Sequence, residues 1–261
     1  MIRGVLFDLD GVLYNGDEAI EGAGAAVASV RAAGVPSLFV TNTTSKPRSA
    51  LVEKLRGFGV EAEPAEFLTP PVASAGWIRG RGDGLAALFV PDATRREFLG
   101  LEGDAESPDL RYVVIGDLGA AWDYGTLNRA FRLLHASPDR ELVALGLTRY
   151  WRSPDGLNLD VAPFVAALEC ATGRRATVLG KPAPEFFRQA AAKLGLRRED
   201  LLMIGDDIRA DVIGAKRAGL QAALVRTGKF SRGDLDLEGE RPDWVLDSVR
   251  DLPGLLAHCG D

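Results

Sequence analysis

The chain predicts an α/β protein, a doubly wound parallel-sheet (Rossmann-like) core with a second α/β domain inserted into it. Three observations carry that prediction. Apolar, β-rich runs alternate with helical patterns along all 261 residues, as right-handed βαβ units require. The apolar runs lack polar alternation, which fits strands buried on both faces. Four of the runs end in polar clusters, and those clusters are very unevenly spaced.

The first run, 5–8, leads into Asp8-Leu9-Asp10-Gly11. Alternate strand residues point the same way, so Asp8 and Asp10 can share one side of the chain where it leaves the core. Paired carboxylates repel unless a cation or proton lies between them, although aspartate before glycine is also common at ordinary strand ends. A helical pattern at 24–33 precedes a run at 38–41, which ends in Thr41-Asn42. Helical patterns at 47–57 and 72–79 lead to the glycine-rich stretch 80–84, read as a linker. Strand-like runs at 85–90, 112–116 and 142–146 then alternate with helical patterns at 94–99, 126–135 and 163–172. Gly173-Arg174-Arg175 reads as the return linker. A short run at 177–179 ends in Gly180-Lys181-Pro182, whose glycine and proline fix the lysine backbone. After a helical pattern at 184–194, the run 201–205 closes in Gly205-Asp206-Asp207, with Asp211 about one helical turn beyond. A helix at 208–218 and a strand at 223–225 complete the series. Glycine follows several of these helices, at 34, 59, 173, 195 and 219, in keeping with helix termination.

Roughly thirty residues separate Asp8 from Thr41, enough for a turn and one helix, whereas roughly 140 separate Thr41 from Lys181. The excess implies an insertion: 1–81 and 177–261 are expected to form the core domain and 82–176 the insert. Ligands of open α/β sheets bind beyond the carboxyl ends of the strands, so the four polar strand ends point to one site.

Apolar content of 46% and charged content of 26% are those of a soluble globular protein. The net charge of −6, from 31 basic and 37 acidic residues, argues against a nucleic-acid partner held by a basic field. An anionic substrate must therefore be attracted locally. Cys170 and Cys259 support neither a disulfide framework nor a zinc site, and Cys170 is expected to pack as a small apolar residue of its helix. Few residues precede Asp8 and no long apolar span occurs, so a cytoplasmic location without membrane attachment is expected.

The motif order Asp-x-Asp-Gly, Thr-Asn, Gly-Lys-Pro, Gly-Asp-Asp-x-x-x-Asp resembles the haloacid dehalogenase superfamily of phosphatases. Within it the chain is similar to the branch whose large C2-type cap lies between the second and third motifs. The likeness spans nearly the whole chain. It implies Mg²⁺-dependent hydrolysis of small phosphate monoesters or related phosphoryl compounds, pyrophosphate and phosphoamino acids among them, through an aspartyl phosphate. By this resemblance Asp8 is the nucleophile. Asp10 protonates the leaving oxygen and then activates water. Mg²⁺ favours oxygen ligands, and the resemblance gives it Asp8, the backbone carbonyl of Asp10, and Asp206. Asp211 would orient a water on the metal, while Asp207 either supports that shell or caps a helix. The Thr41 hydroxyl and the Asn42 backbone would bind phosphoryl oxygens, and Lys181 would neutralise charge in the transition state. The partner expected is a small phosphorylated metabolite, and a homodimer is left open.

Other signals admit two readings. Arg226-Thr227-Gly228-Lys229 is either an anion-binding loop or a structural turn, since it lacks the spacing of a nucleotide-binding P-loop. The segment 149–160, with Arg149, Tyr150, Trp151 and Asp155-Gly156, reads as a hairpin-like candidate for substrate contact, against a core role for its aromatics. The insert would close over the site about its linkers. His135 and His258 lie outside every motif. Dehalogenase chemistry needs neither Asp10 nor the acids at 206 and 211, and a Schiff-base phosphonate hydrolase would need a cap lysine, which neither 9–41 nor 82–176 contains. Mutases of the superfamily usually carry their cap between the first two motifs. A mutase, another hydrolase chemistry of the superfamily, and a non-catalytic or regulatory ligand-binding protein on the same fold are the alternatives left open.

Overall fold

The structure, a computed structural model, describes residues 1–82, 84–153, 156–236 and 239–260. The linker reading at Asp83 and the turn reading at Asp155 fall outside the described residues. The chain divides into two compact units: Met1–Thr41, Arg48–Leu68 and Lys181–Asp261 form one, Asn42–Pro47 and Thr69–Gly180 the other.

In the first unit six strands pair in the order Trp244–Leu246, Gln221–Val225, Leu201–Gly205, Gly4–Asp8, Ser37–Val40, Phe67–Leu68. Every pairing is parallel. Gly4–Asp8 is central and buried along its whole length, which is why its sequence shows no polar alternation. On one face of the sheet Val5, Phe7, Phe39, Leu202 and Ile204 pack with Ala26, Val27, Val30, Leu51 and Leu252. The helix Pro184–Leu194 buries Phe186 and Phe187. There is no space beside Phe187 for a side chain at Gly214, whose Cβ would lie 2.9 Å from the Phe187 ring and 2.8 Å from Pro182 Cα.

In the second unit four parallel strands pair in the order Thr177–Val178, Glu141–Ala144, Leu110–Ile115, Leu85–Phe89. Helices Pro70–Arg81, Tyr124–His135 and Val161–Thr172 accompany them. Thr69 caps the first of these ahead of two prolines, and the Asp123 carboxylate caps the second by accepting from the Thr126 amide at 2.7 Å. Trp122 anchors this unit's core. It stacks on Phe164 at 4.7 Å and Phe89 at 5.9 Å between ring centres, and its Nε1 donates to the Gly116 carbonyl at 3.1 Å.

Most expected elements appear, shifted at their ends by one or two residues, and four differences have physical causes. Phe67–Leu68 and Trp244–Leu246 are too short to show any periodicity. The helix expected at 208–218 begins instead as a π-helical turn, Ile208–Ile213, before continuing as Gly214–Arg217. Thr177–Val178 joins the second sheet through Thr177↔Val143 and Val178↔Ala144. Pro70–Arg81 groups with that unit too, where Arg81 pairs with Glu141 at 2.7 Å and donates to the Tyr112 hydroxyl at 3.0 Å. The sequence boundaries at 82 and 177 therefore fall inside the second unit. No helix among the described residues is long and apolar enough to cross a membrane.

The stacking around Trp122 generates a stability prediction. Trp122→Ala should cost about 3–5 kcal/mol, seen as a lowered denaturation midpoint. A loss under about 1 kcal/mol would mean that the neighbouring rings close the gap without it.

Candidate active site

Strands Leu201–Gly205, Gly4–Asp8 and Ser37–Val40 are neighbours and parallel, so Asp206, Asp8 and Thr41 all emerge at the same edge of the sheet. Asp211 comes from the π-helical turn that follows Asp207. Carboxylate oxygens of Asp8, Asp206 and Asp211 lie within 4.8 Å of one another. Lys181 enters this acidic cluster as its counter-ion, with Nζ 2.8 Å from Asp8 Oδ1 and 2.6 Å from Asp211 Oδ1. All four side chains are buried.

Burial disfavours the Lys181 ammonium, but Asp211 and Asp8 outweigh it and hold its pKa above the ordinary lysine value. Burial and the Asp8 charge push Asp211 upward, against the pull of Lys181. Burial also pushes Asp206 up to about 6, opposed chiefly by the Lys229 amide.

The loop at 226–229 resolves in favour of a structural clamp. The Lys229 backbone amide donates to Asp206 Oδ2 at 2.7 Å, the Thr227 hydroxyl donates to the Gly11 carbonyl, and Arg226 pairs with Asp247 at 2.6 Å. Gly11 and Gly228 have φ of +82° and +65° and press against the same carboxylate: a Cβ on either would lie 2.0 or 2.1 Å from Asp206 Oδ2. Only glycine meets both demands. The signal for this clamp was present as a lysine and glycine just after a strand, but residue types do not say that an amide, rather than the ammonium, makes the contact. Lys229 Nζ approaches Asp207 at 3.4 Å instead. Asp207 caps its helix, its Oδ1 accepting from the Arg209 amide at 3.0 Å and the Ala210 amide at 2.9 Å, while its own amide donates to Asp211 Oδ2 at 3.2 Å.

Asp10 is exposed, and its Oδ1 accepts from the Gly16 amide at 3.1 Å. Thr41 is buried and its amide donates to the Leu68 carbonyl at 3.3 Å. Asn42 belongs to the second unit, where its Oδ1 lies close to Gly180. The 149–160 segment contains the hairpin Tyr150–Ser153 with Gly156–Leu159. Tyr150, Trp151, Leu157 and Leu159 are exposed on it, so its aromatics are not core. Cys170 is exposed rather than packed, because it faces away from the buried stripe Val161, Val165, Leu168. His135 stacks on Phe131, and His258 contacts the Gly254 carbonyl.

Asp8, Asp206 and Asp211 suit a hard divalent cation, which favours carboxylate oxygens. The decisive observation is Asp206 Oδ1, a buried oxygen without a hydrogen-bond partner among the described residues. Such an orphan is costly unless a cation or water satisfies it. A prediction follows for the clamp: Gly228→Ala should destabilise the fold by about 1–3 kcal/mol and weaken divalent-cation binding measured by calorimetry. Unchanged stability and cation affinity would show that the loop does not hold Asp206.

Comparisons with known proteins agree with this geometry. A family model described as haloacid dehalogenase-like hydrolase matches residues 5–102, and a second, HAD-hydrolase-like, matches 178–252. Phospholysine phosphohistidine inorganic pyrophosphate phosphatase of Bos taurus is 39% identical, covering 100% of this chain and 96% of its own. Haloacid dehalogenase-like hydrolase domain-containing protein 2 of Bos taurus is also 39% identical, over 95% of this chain and 93% of its own. Among solved structures, p-nitrophenyl phosphatase from Archaeoglobus fulgidus superposes with a TM-score of 0.86 at 28% identity, covering 97% of this chain and 99% of its own. With Asp8, Lys181, Asp206 and Asp211 converging at the strand ends and full-length relatives of this kind, the chain belongs to the haloacid dehalogenase-like hydrolase family.

Proposed function

We propose that this protein is a Mg²⁺-dependent phosphatase that hydrolyses small phosphate monoesters or related phosphoryl compounds through an aspartyl phosphate on Asp8. One observation carries the reading: Asp8 ends the central strand with the Lys181 ammonium 2.8 Å from its Oδ1, beside a buried Asp206 oxygen that lacks a hydrogen-bond partner among the described residues. In the first step an Asp8 carboxylate oxygen attacks phosphorus. The bond to the leaving oxygen breaks, and that oxygen takes a proton from Asp10. In the second step Asp10, now a carboxylate, takes a proton from the water that attacks the phosphoenzyme. Inorganic phosphate leaves and Asp8 is restored.

Lys181 stays protonated because of Asp211 and Asp8, so it can offset charge on the transferring phosphoryl group. Asp211 holds Lys181 in place, and Thr41 and the Asn42 backbone are assigned to phosphoryl oxygens. Asp8, the Asp10 carbonyl and Asp206 would hold Mg²⁺, which when bound neutralises charge between a carboxylate and a phosphate dianion. We assign Asp211 and Asp207 to supporting that shell. The residues 82–176 are assigned the role of a C2-type cap, and the enzyme a cytoplasmic location. The relatives' names put pyrophosphate, phospholysine, phosphohistidine and p-nitrophenyl phosphate first among substrates to assay.

Asp8→Asn is expected to abolish turnover of p-nitrophenyl phosphate while leaving the melting temperature near that of the parent, because an amide cannot form the mixed anhydride. Substantial residual turnover, with contaminating phosphatases excluded, would remove Asp8 from the role. Activity should also vanish in excess chelator and return with Mg²⁺, whereas Ca²⁺ should inhibit through its preference for more ligands at longer distances. Full activity in chelator would overturn the metal assignment.

A further inference from the structure

Asp10 is exposed, and its carboxylate is restrained by the Gly16 amide, which donates to Oδ1 at 3.1 Å. Gly16 lies in the turn of a small hairpin, Tyr14–Asn15 paired with Glu18–Ala19. Two further backbone contacts tie Asp10 to that hairpin: a bridge between Asp10 and Tyr14, and a hydrogen bond from the Gly11 amide to the Tyr14 carbonyl at 2.6 Å. A hairpin with two residues per strand has little stability of its own. Something outside it must fix its position.

Backbone hydrogen bonds from the Tyr14 amide to Leu9 and from the Ile20 amide to Leu13 hold its ends, and its side chains are met by the helix Arg48–Gly57 and the residue after it. The Tyr14 ring is buried and meets Phe58 at 5.2 Å between centres. Lys54 Nζ sits 4.2 Å from the Tyr14 ring centre and 5.9 Å from that of Phe58, inside cation–π range of both. The same ammonium is 3.8 Å from Asp17 Oδ1 in the hairpin turn. Lys54 therefore grips the hairpin at two points, one on each side of Gly16.

We propose that Lys54 is a positioning residue for Asp10, pinning through Tyr14 and Asp17 the hairpin whose Gly16 amide aims the Asp10 carboxylate. This rests on the reading of Asp10 as acid and base. A misplaced acid is costly in proportion to how badly the leaving oxygen needs its proton. Phenyl phosphate and p-nitrophenyl phosphate are nearly alike in shape, but nitrophenolate leaves readily without a proton and phenolate does not. A general acid accounts for ~10²–10⁴-fold of rate, and a displacement of about 1 Å forfeits a large part of such a contribution.

The experiment compares the two substrates in Lys54→Met, Lys54→Gln, Lys54→Arg and, as reference, Asp10→Asn, below each variant's unfolding temperature and with Mg²⁺ saturating. The Met and Gln variants should lower kcat/KM, which reports formation of the phosphoenzyme and not its hydrolysis, about tenfold on phenyl phosphate and less than about threefold on p-nitrophenyl phosphate. Lys54→Arg keeps a cation over the ring and should restore the phenyl phosphate rate. Equal losses on both substrates, or no rescue by arginine, overturn the proposal if Asp10→Asn itself discriminates between the substrates. Failure of Asp10→Asn to discriminate overturns the acid–base reading, and the positioning role with it.

Discussion

The buried ammonium of Lys181 is the interaction on which the site depends. Beside it three buried acidic side chains lie within 4.8 Å of one another, and such a group cannot persist as three unopposed charges. Removing a charged group from water costs several kcal/mol, so the ion must recover that cost from close partners. Lys181 does so with two contacts below 3 Å, at 2.8 Å to Asp8 and 2.6 Å to Asp211. Asp206 is left as the unmatched member: one oxygen takes the Lys229 amide and the other has no hydrogen-bond partner among the described residues. One lysine among three acidic side chains leaves Asp206 without a matching cation, a place that a divalent ion suits.

That arrangement is a consequence of parallel pairing. The register Val5↔Leu202 through Phe7↔Ile204 brings the ends of two adjacent strands level, so the chain delivers Asp8 and Asp206 to one place without any long-range coincidence. Excluded volume then finishes the placement. Gly205 has no room for a side chain because its Cβ would lie 2.3 Å from Asp211 Cβ, and Gly11 and Gly228 close on Asp206 from the other direction. The acids are held by backbone that has been thinned to glycine around them, rather than by a surrounding set of bulky side chains.

This explains which parts were legible in the sequence. The apolar strands and their polar ends could be read because burial on two faces leaves a continuous hydrophobic run, and because Asp8, Thr41, Lys181 and Asp206 each follow such a run directly. Phe67–Leu68 and Trp244–Leu246 could not, since two or three residues carry no period. The π-helical turn at 208–213 was equally hidden: its wide hydrogen bond, from the Val212 amide to the Asp207 carbonyl at 3.4 Å, depends on where Asp211 must point and not on helix propensity. The clamp at 226–229 was ambiguous because backbone amides do the work there, and every residue but proline has one. Cys170 is exposed because the buried stripe of its helix runs through 161, 165 and 168, and residue type alone does not say on which side of that stripe it falls.

Asp8 and Asp10 show how far apart the environments of two carboxylates can be when only one residue separates them. Alternation along the chain allowed both to face the same way. In the fold, Leu9 turns into the core at 1% exposure and Asp8 is buried at 8%, whereas Asp10 stands exposed. Asp8 faces the Lys181 ammonium at 2.8 Å and two other carboxyl groups, surroundings that suit the nucleophile proposed for it. Asp10 meets a backbone amide and solvent, which suits the acid and base role proposed for it. Divergent environments of this kind are how a pair of like side chains acquires unlike roles, and here the divergence is fixed by the single turn at Gly11.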